Sequence, residues 1–168
     1  KKMVNPYQIS FKWELKMSST EIHEGGCSCG AVRYQTIGQP ARTGVCHCRY
    51  CQTRTGSAFG ISVYFLKENV VKTQGELSEY EFITESGRSF NQKFCPKCAT
   101  TLFWTLEVSK GMTGVAGGSF DPPSFWYDIG REVFRRTSAT WINNDIAEKH
   151  DTHPMYEPIS SERTALSS

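Results

Sequence analysis

A mainly β domain with few short helices is the fold class this sequence predicts. Three observations carry it. Short runs rich in aromatic and β-branched residues recur through the middle of the chain. Gly, Pro, Asn and Ser interrupt these runs at short intervals, as turns between strands do. Helical signals are few, with no long segment of 3.6-residue periodicity.

The elements follow in order. AVRYQTI (31–37) reads as a strand, and AFGISVYF (58–65) alternates in part. NVVKTQG (69–75) and LSEYEFIT (77–84) are further strands, with turns at residues 67–69 and 74–76. RSFNQKF (88–94) follows a Ser-Gly turn, and TTLFWTL (100–106) is an apolar strand. GMTGVAGGSF (111–120) is a weaker strand because of its glycines. Residues 51–56 and 145–149 are each expected to form one helical turn.

The chain has 168 residues, which suits one domain with a core of its own. Residues 21–157 are read as that domain. Residues 1–20 are read as an irregular extension and 158–168 as a flexible tail with little to bury. Residues 1–16 read as added or upstream sequence, with Met17 as the native start, because the Ser-rich run MSSTE follows it. No apolar run approaches the roughly 20 residues that span a bilayer. The basic N-terminus lacks the apolar centre of a signal peptide. A cytoplasmic protein without membrane or nucleic-acid partners is expected. There are 19 basic and 17 acidic residues, with no basic run to track a phosphate backbone. Seven thiolates and two Zn²⁺ ions would move the formal charge from +2 to about −1.

The cysteines carry the chemistry. They stand at 27, 29, 46, 48, 51, 95 and 98, an odd number that a disulfide scaffold would not use fully. Metal binding is the better reading in a reducing compartment. The set divides as four plus three. CSC (27–29) and CPKC (95–98) together make a closed Cys₄ site, which adds to folding energy. Cys46, Cys48 and Cys51 form CxCxxC, and three protein ligands leave one tetrahedral position open, as in catalytic zinc sites. Two other readings stay open on spacing alone. His47 could complete a Cys₃His site, although in an extended CxC it points away from Cys46 and Cys48. Cys51 could also join a different quartet, leaving CxC pairs free, and a metal protein with structural roles only stays a further alternative.

GGCSCGAVRYQ, CHCRYCQTRTGSAFG and FCPKCATTLFW, in that order, resemble the glutathione-dependent formaldehyde-activating enzyme family over roughly residues 22–145. The resemblance implies an Mss4-like zinc-containing β-sheet fold. It implies a structural zinc on Cys27, Cys29, Cys95 and Cys98, and a catalytic zinc on Cys46, Cys48 and Cys51, two ions per chain. The activity implied is a carbon–sulfur lyase or synthase reaction, in which glutathione adds to formaldehyde or leaves the adduct. GSFDPPSFWYDIG matches the family's Gly-x-x-Asp segment only loosely. The substrate is therefore left as a small thiol with an aldehyde, or an imine. Zinc-dependent hydrolysis of an imine is one alternative, and a non-catalytic zinc module that binds another protein is a second. A homodimer is compatible with either.

Three thiolates temper the Lewis acidity of zinc and favour a soft sulfur ligand over water. Near the site, His47 is a candidate acid, base or orienting residue. Arg49, Tyr50 and Arg54 are read first as surface or packing residues, and second as partners for a carboxylate or oxyanion. Ser57 is either a donor near the metal or a small packing residue. His23, His150 and His153 are read as surface residues. Phe103, Trp104, Phe120, Phe125, Trp126 and Tyr127 are read as core, with a pocket wall as the alternative. Asp121 is read as a turn residue before two prolines.

Overall fold

The computed structural model describes residues 20–156. Apart from Thr20, the expected extension (1–20) lies outside these residues, as does the expected tail (158–168). The elements run β1 (Ile22–Gly26), β2 (Arg33–Ile37), β3 (Arg42–Cys46), α1 (Arg49–Thr55), β4 (Gly60–Leu66) and β5 (Val70–Gln74). They continue as β6 (Ser78–Ile83), β7 (Ser89–Phe94), β8 (Thr101–Leu106), β9 (Met112–Ala116), β10 (Arg131–Val133) and β11 (Glu148–Lys149).

Two sheets form. The small one has the order β1-β2-β5, and the large one β11-β10-β3-β4-β9-β8-β7-β6. All pairings are antiparallel except those of β10, which runs parallel to both β3 and β11. The core lies between the sheets. Val32, just before β2, and Tyr34 of β2 meet Val63, Phe65, Phe103 and Val115 from the large sheet. Tyr34 packs edge-on against Phe103, with ring centroids 5.0 Å apart. Burying each such side chain contributes about 1.5–3 kcal/mol.

Side chains alternate along β4, so Val63 and Phe65 enter this core while Ser62 and Tyr64 face the other way. Cross-strand register extends that second face. Arg42 pairs with Tyr64, Tyr64 with Gly114, Gly114 with Trp104, and Trp104 with Gln92. One row of partners thus crosses β3, β4, β9, β8 and β7. Gly114 is required there, because a Cβ on it would stand 2.2 Å from Trp104 Nε1.

The seven strands expected from the sequence form, with ends shifted by a few residues. Four others were not expected. β1 (IHEGG) and β3 (RTGVC) look too polar or too glycine-rich in isolation. Gly25 of β1 makes room for the Tyr34 ring, whose Cζ would stand 2.4 Å from a Cβ there. The helical turn expected at 51–56 exists but begins earlier, as α1, and ends at Gly56 in the left-handed region (φ 63°). The turn expected at 145–149 is corrected. The Asn144 side-chain carbonyl accepts from the Ile146 N–H at 3.1 Å, which turns the chain locally. Glu148–Lys149 then pairs with β10, and His150 N–H donates to Glu132 O at 2.9 Å.

Candidate metal centres and their cavity

Two turns bring the first cysteine group together. Cys27 N–H donates to Val32 O at 3.0 Å, closing the turn between β1 and β2. Cys95 N–H donates to Thr100 O at 3.0 Å, closing the turn between β7 and β8. The Ser28 N–H donates to Thr100 Oγ1 at 3.2 Å and ties one turn to the other. The sulfurs of Cys27, Cys29, Cys95 and Cys98 then lie within 4.8 Å of one another. Cys27 and Cys29 are 3.5 Å apart, and Cys29 and Cys95 are 3.8 Å apart. Two thiolates on one tetrahedral zinc stand roughly 3.8 Å apart, so this donor set fits the ion. Thr100 also acts on Cys98, where hydrogen bonds from its hydroxyl and backbone bring the thiol down to about 5.

The second group is built by a strand-to-helix transition. Cys46 ends β3, on the face that carries Arg42 and Gly44. Cys48 is the extended N-cap of α1 (φ −61°, ψ 152°), and Cys51 lies on the helix itself. Their sulfurs also lie within 4.8 Å of one another. Among the described residues no histidine, carboxylate or further cysteine joins them within that range. Hydrogen bonds with Cys48 and Cys51 push the Cys46 thiol well up, while those from Cys46 and Cys48 hold Cys51 well down. Arg54 adds to the latter effect, with Nη2 4.0 Å from Cys51 Sγ. Three soft donors this close fit zinc on three thiolates.

All three cysteines of this group line a cavity of about 200 Å³. Its floor is the second face of the large sheet. Trp104, Phe90 and Phe82 make an aromatic wall whose neighbouring rings lie within 22° of parallel. The Arg54 guanidinium covers the Trp104 ring at 4.1 Å. Three segments close the other side: Tyr50 of α1, the loop containing Glu85, and the segment ending at Tyr156. The Tyr156 hydroxyl donates to Glu85 Oε1 at 2.7 Å, and the Glu85 N–H donates to the Tyr50 hydroxyl at 3.2 Å.

The expected site residues divide accordingly. Tyr50, Arg54 and Trp104 line the cavity, whereas Arg49 and Ser57 are exposed and outside it. Phe103, Phe120 and Tyr127 are core, and Phe125 is exposed. His47 is fully buried, is not among the cavity-lining residues, and sits with Nε2 2.8 Å from Glu132 Oε1. Asp121 does more than precede a turn, since its carboxylate pairs with Arg33. His153 is corrected from a surface residue to a cavity residue, and burial pushes it down to about 4. Arg42, Tyr64 and Arg131 were missed. Their signal is parity: once 42–46 is a strand, Arg42, Gly44 and Cys46 share a face.

A β-sheet domain with two thiol-only clusters compatible with metal binding, one joining two turns at the edge of the core and one opening on a cavity, defines the class to which this chain belongs. The sequence profile of the family described as glutathione-dependent formaldehyde-activating enzyme matches residues 22–141. The chain belongs to that family. Among solved structures, it is similar to a crystal structure of a Rhodobacter sphaeroides protein from the Northeast Structural Genomics effort. The two share 20% identity with a TM-score of 0.48, over 62% of this chain and 95% of the other.

Proposed function

We propose that the chain is a zinc-dependent enzyme of carbon–sulfur lyase or synthase type, adding a thiol to an aldehyde carbon or removing it. The observation that carries this reading is the three-cysteine set, without a fourth protein ligand among the described residues, lining a cavity. When bound there, zinc offers a further position to a thiol, lowers its pKa and holds it as the thiolate. In the synthetic direction a C–S bond forms, the C=O π pair moves to oxygen, and the thiol proton ends on that oxygen.

The chain's own residues frame this chemistry. Cys46, Cys48 and Cys51 supply three negative sulfurs. Arg54 sits between Cys51 and the Trp104 face, and offsets part of that charge. The aromatic wall and the Tyr50–Glu85–Tyr156 closure keep bulk water from the reacting carbon. His47 acts at one remove. Its imidazole is fixed by Glu132, and its carbonyl accepts from the Thr137 hydroxyl at 2.9 Å, so it positions the backbone between two ligands. Cys27, Cys29, Cys95 and Cys98 hold a second, structural zinc.

Cys48→Ser tests the reading. Zinc should fall from about two to about one per chain, with the fold intact. Thiol–formaldehyde exchange, followed by NMR against the uncatalysed rate, should fall to background. If this variant exchanges as fast as the parent protein, the three-cysteine set is not the catalytic centre.

A further inference from the structure

We infer that the cavity selects a small molecule with an oxyanion head, carboxylate or phosphate, on a flat apolar body, and that Arg42 and Arg131 hold the head. The reacting end of that molecule rests on the proposed function; capture of the anion does not.

Charge is the first argument. Four arginines line the cavity, Arg42, Arg54, Arg88 and Arg131, against the single carboxylate of Glu85. Arg54 is engaged with Cys51 and Trp104, and Glu85 with Tyr156. Among the described residues, Arg42 and Arg131 have no carboxylate within ion-pair distance, and Glu148 on the neighbouring strand acts on Arg131 only at longer range. Arg42 stacks on Tyr64 with its guanidinium carbon 4.2 Å from the ring centroid, and its Nη2 donates to Ser109 Oγ at 3.1 Å. Its Nε is buried without a hydrogen-bond partner. Arg131 Nη2 lies 3.3 Å from Nε2 of the His153 ring. That contact is poor as it stands. A neutral imidazole has one acceptor nitrogen, yet both of these face donors, Nδ1 the Met155 N–H at 3.1 Å and Nε2 the Arg131 fork. Among the described residues, two like charges and an imidazole short of acceptors therefore converge, with the neutral Ser109 Oγ on Arg42 and no paired carboxylate. A planar oxyanion accepts from both forks and from the ring.

Placement is the second argument. Arg42 lies four residues before Cys46 on one strand face, about 13 Å away along β3. Arg131 pairs with Gly44, two residues nearer the cysteines. A ligand reaching from the sulfurs to these forks is several bonds long. Its middle crosses Tyr64, Trp104 and Leu106, a surface with few polar groups. A polar peptide stem would lose hydrogen bonds to water there, whereas an aromatic or alkyl stem would not. The cavity of about 200 Å³ sets the size at a small organic acid.

The test is calorimetric titration of the zinc-loaded protein with 4-phenylbutanoate, its neutral amide 4-phenylbutanamide, and 2-phenylethyl phosphate. The carboxylate should bind at least about tenfold tighter than the amide. Arg42→Gln and Arg131→Gln should each remove most of that preference while zinc content stays that of the parent. The stronger of the two anions identifies the head group. Should a Gln variant fail to fold, Arg42→Lys keeps the charge without the fork and should lose part of the preference. Equal binding of acid and amide, or a preference that survives in both folded Gln variants, overturns the inference. Acid preference in a protein without thiol–aldehyde turnover supports the anion site and counts against the proposed reaction.

Discussion

His47 Nε2 lies 2.8 Å from Glu132 Oε1, and neither side chain is more than 4% exposed. Residue 47 separates two candidate ligand cysteines, and residue 132 lies on β10, which runs parallel to β3. The pair therefore fastens the turn that carries those cysteines to a strand far away in sequence. Glu132 also accepts from Asn144 Nδ2 at 2.9 Å, and Lys149 lies 3.8 Å away. Burial opposes its ionisation, yet hydrogen bonds from Asn144 and His47 hold it below the usual carboxylate range. Glu132→Ala should lower stability by about 3–5 kcal/mol, because it strands buried donors. Glu132→Gln should cost less and keep the turn in place. Urea unfolding of the zinc-loaded variants measures both, and zinc affinity should follow the same order.

His153 gives a prediction about pH. Burial is the first cause of its fall to about 4, with Arg131 and Arg42 adding repulsion. The unfolded chain binds the proton near 6.5. Between those values the unfolded state holds more protons, so stability drops as pH falls from about 6.5 toward 4 and is complete above that window. The partly exposed ring reduces the effect to about 1–2 kcal/mol. His153→Gln should flatten this limb of the stability–pH curve. An unchanged slope would place the titration elsewhere.

Gly114→Ala tests the floor of the cavity. The new Cβ would enter the space of the Trp104 indole, which donates from Nε1 to the Tyr64 hydroxyl at 3.0 Å. Overpacking of this kind costs about 1–3 kcal/mol. The indole must move from under Arg54, so indole fluorescence should shift while zinc content is retained.

Much of this was legible in the sequence, and the remainder fails for physical reasons. The cysteine spacings make a four-plus-three division the simplest reading, and the sulfurs gather in those two groups. The aromatic and β-branched runs give seven strands because such residues suit a pleated, half-buried surface. β1 and β3 escape because their glycines answer to neighbours across the sheet rather than to local preference. Gly25 yields to Tyr34, and Gly44 lies beside Arg131. Residues 145–149 mislead because an isolated charged stretch suits a helix until β10 offers it a partner. Arg42, Arg131 and His153 lie far apart in the chain and meet only after β10 docks beside β3.

Chelation should separate the two cysteine groups. Four thiol donors surround the first position, with Cys27 and Cys95 buried, Cys98 half-buried and Cys29 exposed, whereas only three line the cavity at the second and leave a tetrahedral position to an incoming chelator. A strong chelator should therefore remove about one zinc per chain quickly, with loss of exchange activity and little change in circular dichroism. Removal of the second should be slow and coincide with unfolding. Cys95→Ser should bring that unfolding about without chelator, in contrast to Cys48→Ser. Release of both ions in one fast phase, with structure retained, would count against a structural role for the quartet.

The quartet joins turns on either side of the three-cysteine set, and this has a temporal meaning during synthesis. A growing chain displays Cys27, Cys29, Cys46, Cys48 and Cys51 before Cys95 and Cys98 have been made. Five thiols then compete for each arriving ion, and affinity alone does not sort them. The sorting falls to the β1–β2 turn and β3, which set the first pair at one edge of the core and leave the next three at the cavity. Metal supplied late, to a chain already folded around both turns, should load with fewer errors than metal supplied to the nascent chain.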